Sequence, residues 1–92
     1  MLKLVNFREN RELRRMDFEM KMYRLDRDIN LILSDLESCE EKETLEKHIE
    51  RIDGILEEYH RLQLCGIQTI SVDVHFLRNM NGKLFDKYCD LL

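Results

Sequence analysis

A chain of 92 residues and 11.2 kDa holds one small domain, because single cores keep growing to about 250 residues before chains divide. Its 43% hydrophobic residues are too many for a disordered tail, and its longest apolar run, Leu31-Ile32-Leu33, is far short of a membrane span. The formal charge of −4 divides into a basic first third (residues 1–27, net +3), an acidic middle (28–58, net −8) and a near-neutral end (59–92, net +1), so the middle would repel a phosphate backbone.

The opening, Met1-Leu2-Lys3-Leu4-Val5-Asn6, meets charge too early to form the apolar region of a secretory signal. Three widely spaced cysteines, Cys39, Cys65 and Cys89, form no Cys-x-x-Cys and suggest reduced packing residues, so a cytoplasmic protein is expected. With no proline and only three glycines the chain lacks the turn residues of an all-β fold, and the expected class is all-α.

The first element is a helix over about residues 8–37. Phe18, Met22, Leu25, Ile29, Ile32, Leu36 and Cys39 recur at alternating steps of four and three, the stripe of a coiled-coil seam. Leu13, Met16, Met20 and Tyr23 form a second stripe, which a third helix or another chain would have to cover. Towards the N-terminus the seam turns basic: Arg8, Arg11 and Arg15 continue its line, and with Arg14 they suggest a cationic tip.

A second helix is expected over about residues 39–64. Leu45, Ile49, Ile52, Leu56 and Tyr59 repeat at the same steps but out of phase with the first stripe, which a chain reversal near Glu40 explains. Folding there pairs Leu36 with Leu45, Ile32 with Ile49, Ile29 with Ile52, Leu25 with Leu56 and Met22 with Tyr59. Ser38 and Glu41 have the spacing of a capping box at the start of this helix. The alternative is one long bent helix paired with another chain. Gly54 inside the second helix invites either the close approach of a neighbour or a tolerated surface position.

Residues 70–92 can be read in two ways. Ile70, Val72, Val74 and Phe76 alternate with polar residues as in a strand, and Asn81-Gly82 suits a hairpin turn. Ile70, Val74, Leu77, Met80, Leu84, Tyr88 and Leu91 trace a helical face, with Thr69 or Ser71 to cap it, and this pattern accounts for more residues. The expected architecture is therefore an antiparallel, coiled-coil-like helical hairpin with a third C-terminal helix, a small bundle expected to form homo-oligomers.

Chemistry is hard to place on such a scaffold. The sequence has no Gly-x-Ser-x-Gly, phosphate-binding loop or dinucleotide glycine pattern. Glu57 and Glu58 are adjacent and diverge around a helix, so they make a poor acid–base pair. His60, Cys65, His75 and Cys89 could be imagined around zinc, but their spacing matches no common ligand pattern, which leaves a metal-binding bundle a remote third reading. No enzyme, cofactor, metal or small-molecule substrate is expected. The expected function is that of an adaptor, regulator or inhibitor docking a helical face on a partner protein through Arg8, Arg11, Leu13, Arg14, Arg15, Met16, Met20 and Tyr23. Small regulators of this kind are frequent in bacteria and their phages, though no residue marks that origin. A nucleic-acid-binding regulator using the same arginines is the second reading, disfavoured by the acidic middle and by the lack of interleaved aromatic residues.

Overall fold

The computed structural model describes the backbone of residues 2–92 and the side chains of residues 10–92. Three helices follow one another, α1 (Leu2–Ser38), α2 (Lys42–Leu64) and α3 (Val74–Asp90), with no strand among the described residues. A 37-residue helix runs about 55 Å at 1.5 Å per residue, and α1 accordingly sets the longest dimension of the molecule, 54 Å against 22 and 19 Å. No helix among the described residues is long and apolar enough to cross a membrane.

The cross-contacts of α1 and α2 run in opposite order along the two helices. Asp35 lies 2.8 Å from the His48 ring, Asp28 accepts from Arg51 at 3.0 Å, Lys21 donates to Glu58 at 3.3 Å, and the Phe18 ring stacks on Tyr59 at 5.8 Å. Between these polar ties the seam is dry: Phe18, Leu25 and Ile32 of α1 and Leu45 and Ile52 of α2 are wholly buried. Phe18 stacks on Tyr59, and half-buried Met22 lines a groove with Ile70 and Phe76 beside the start of α3.

The reversal takes three residues, Cys39 to Glu41, so α2 starts at Lys42 and not near residue 39. The expected capping box is absent, because Ser38 ends α1 and its hydroxyl donates back to the Ser34 carbonyl at 3.0 Å. Glu41 stands at the N-cap with no side-chain cap bond.

After α2, Gly66 takes φ +72°, the left-handed region where a Cβ is strained, and Ile67 N–H closes the helix end on the Leu62 carbonyl at 2.8 Å. Residues 67–73 then run in irregular backbone. The alternation that suggested a strand belongs to this connection: Val72 is buried and Ile70 and Val74 half-buried, while Ser71 and Asp73 face water. Extended backbone produces period-two burial with or without a pairing strand. Helix α3 starts only at Val74, capped by the Asp73 carboxylate, which accepts from Phe76 N at 3.0 Å; neither Thr69 nor Ser71 caps it.

Helix α3 buries Leu77, Met80 and Leu84 and packs chiefly on α2, to which Asn81 ties it by donating to Asp53 at 2.8 Å. On α1 it meets only the later half: Phe76 shares a groove with Tyr23 and Asp26, and Lys87 donates to the Leu36 carbonyl at 2.7 Å. Gly54 needs no close neighbour, since a Cβ built there meets nothing within 4 Å.

Candidate functional site

Helix α1 is apolar on two opposite sides. At about 100° per residue, Leu25 and Ile32 fall within about 40° of Phe18 around the helix, whereas Met16 and Met20 lie about 160° away from it. The first side is the core. The second is open: Leu13 is 60% exposed, Met16 55%, Met20 53% and Tyr23 65%. Leu31, further along the same face, is also exposed.

Of the two alternatives for the second stripe, the third helix does not cover it. It packs on the flank of α1 that carries Met22, Asp26 and Ile29, and it starts level with Tyr23, beyond Leu13, Met16 and Met20. Substitution of Met20 by a charged residue is for this reason a change at a surface. The reach of α3 is set by the length of the 65–73 connection, which a periodicity argument cannot supply.

The arginines are arranged differently from a free cationic tip. Arg11 is half-buried and donates to the Cys65 carbonyl at 3.2 Å, satisfying the C-terminal end of α2, where backbone carbonyls favour a cation. Arg15 is bound to Glu12 at 2.8 Å. Arg14 is exposed and lines a groove with Glu57, Glu58 and Arg61 of α2. The side chain of Arg8 lies outside the described residues. Of the apolar stripe only Leu13 shares a groove with Arg11 and Arg14, together with Cys65 and Ile67; Met16, Met20 and Tyr23 are turned away.

Other polar residues singled out in the sequence are dispersed. His48 is tied to Asp35, whereas His60 and His75 are exposed. Glu57 reaches Arg61 at 3.8 Å and Glu58 reaches Lys21, so the two neighbours point to different partners. Among the described residues no three His, Cys, Asp or Glu side chains are grouped to hold a metal ion. Cys65 and Cys89 are exposed and Cys39 half-buried, each as a free thiol.

No family model, curated protein or solved structure matches the chain.

Two ionisable groups at the α1–α2 seam are shifted. The carboxyl of Asp28 is held below the ordinary range by Arg27 first and Arg51 second, and Lys21 is raised by its bonds to Asp17 and then Glu58. Each has its first partner on α1 itself and its second, Arg51 or Glu58, across on α2. Sequence reasoning missed Phe76, half open beside Tyr23, and the acidic line Glu12, Glu19, Asp26. The seven-residue spacing of that line was the available signal.

Proposed function

We propose that this chain is a small helical interaction protein, an adaptor, regulator or inhibitor, that docks the outer face of α1 on a partner protein and performs no catalysis. The observation that carries the reading is the line Leu13, Met16, Met20 and Tyr23, more than half exposed and opposite the core. Contiguous apolar surface of this kind is uncommon on monomers that stay alone. Methionines suit such a face, since a flexible thioether conforms to an irregular groove. A long helix with side chains three and four apart presents the usual anchors of helix-in-groove recognition. Self-association through the same face, giving a homo-oligomer in the cytoplasm, is the other form of the proposal.

The test compares the natural chain with the double variant Met16→Glu, Met20→Glu as baits in affinity purification from the native host, with light scattering on both. The reading expects a stoichiometric protein partner retained by the natural chain and lost by the variant, while the variant keeps its helical circular dichroism. A partner retained equally by both baits would move the docking surface elsewhere. A mass of twice 11.2 kDa for the natural chain alone, returning to 11.2 kDa in the variant, would mark the face as a self-association surface.

A further inference from the structure

The edges of the stripe specify its occupant. Along the side of α1 nearer α3, Glu12, Glu19 and Asp26 follow one another at seven-residue intervals, so they form one line beside Met16, Met20 and Tyr23. Glu12 is shared with Arg15. The far edge is mixed: Asp17 is bonded to Lys21 at 3.1 Å and Arg24 follows. Arg27, paired with Asp28 at 3.1 Å, closes the stripe after Tyr23. The acidic line leads into a groove of ≈ 240 Å³ between α1 and the start of α3, where Tyr23 and Phe76 stand with the carboxylates of Asp26 and Asp73. One Asp73 oxygen accepts from Phe76 N. Two carboxylates beside two part-exposed aromatic rings suit a guanidinium or ammonium group, which gains from the charges and from the ring faces.

A second copy of this chain fits the same edges poorly. Antiparallel pairing that sets Leu13 against Tyr23 and Met16 against Met20 also brings Asp17 to Asp17, Glu19 to Glu19 and Glu12 to Asp26, three like-charge meetings. In-register parallel pairing sets Glu12 against Asp17 and Glu19 against Arg24, one repulsive and one attractive meeting with no net gain.

Resting on the docking reading above, we infer that the outer face of α1 receives a basic amphipathic helix of another protein, whose apolar side covers Met16 and Met20 and whose Arg or Lys enters the Tyr23, Asp26, Asp73, Phe76 groove. The expected partner is thus basic where it meets the stripe, the reverse of what the arginine-rich start of α1 suggests. Apolar burial supplies most of the affinity, and the carboxylates supply orientation and the choice between partners.

The probes are two synthetic 21-residue helical peptides with the same Leu and Met stripe, one flanked by Lys and Arg and the other by Glu. Binding is followed by fluorescence anisotropy and by the methyl resonances of Met16, Met20 and Met80. The basic peptide is expected to bind at least tenfold tighter than the acidic one, to shift Met16 and Met20 but not Met80, and to lose its advantage in 0.5 M salt. The triple variant Glu19→Gln, Asp26→Asn, Asp73→Asn should reduce the preference to less than about threefold, and asparagine keeps the N-cap of α3. Equal binding of both peptides at Met16 and Met20 would overturn the charge inference and leave the docking reading standing. Binding of neither, or binding that leaves Met16 and Met20 unmoved, would overturn both.

Discussion

The two sides of α1 are built from similar residues and meet opposite fates. Phe18, Leu25 and Ile32 vanish into the seam, while Met16, Met20 and Tyr23 stay more than half open. Helices α2 and α3 each concentrate their apolar residues on an inward side, with Leu64, Phe76 and Phe85 left exposed, whereas the apolar residues of α1 nearly cancel around its axis. The difference separates the side chains that stabilise the fold from those that do not, and the docking proposal rests on the second set.

The comparison is broken most forcefully by truncation on each side in turn. Phe18→Ala should cost about 3–5 kcal/mol, because it empties a fully buried site stacked on Tyr59. Met20→Ala should stay within about 0.5 kcal/mol, as surface changes away from special features do. Urea unfolding followed by circular dichroism measures both, and a Met20→Ala loss as large as that of Phe18→Ala would mean that the outer side belongs to the core.

Smaller effects sharpen the account at the ends of the helices. Gly66→Ala is expected to destabilise by about 1 kcal/mol or more, since its φ is positive. Gly54→Ala should stabilise by about 0.5–1 kcal/mol, because the new methyl meets open space inside α2. Thermal melts of the two variants should therefore move in opposite directions. A rise for Gly66→Ala would mean that the end of α2 is built differently.

The smallest effect lies in pH. Asp28 is depressed by Arg27 and Arg51, so its contribution is present above the ordinary carboxylate pKa of about 4 and is lost as pH falls through the lower folded value. Melting temperature should drop more steeply below about pH 4 in the natural chain than in Asp28→Asn. Lys21, raised by Asp17 and Glu58, works in the other direction: its contribution is complete below about pH 10.4 and fades as pH rises above that. Parallel acid profiles for the natural chain and Asp28→Asn would remove Asp28 from the α1–α2 ties.

Much of the helical class was legible in the sequence because three-and-four spacing is a local property. Both stripes of α1 could be read at Phe18, Leu25 and Ile32 and at Leu13, Met16 and Met20. Which one the third helix would cover could not, since that depends on where the 67–73 connection releases the chain. The Ser38–Glu41 spacing misled for a related reason: a cap motif describes one turn of backbone, and the reversal needed Cys39 to Glu41 for itself. The arginines looked like one tip because they share a line. Their partners, the Cys65 carbonyl and Glu12, are a matter of how α2 ends and how Arg15 turns. The acidic edge at Glu12, Glu19 and Asp26 is legible as a seven-residue repeat, although the first third as a whole is basic.

The methionines provide the most direct test that the outer side of α1 is open. With methyl groups labelled and a soluble paramagnetic agent added to a dilute sample, Met80, 3% exposed, should be protected, half-buried Met22 intermediate, and Met16 and Met20 strongly broadened. That order across the core, the flank and the outer side is what the account predicts. Protection of Met16 and Met20 equal to that of Met80, persisting on dilution, would show that the chain covers its own stripe and would contradict the docking surface.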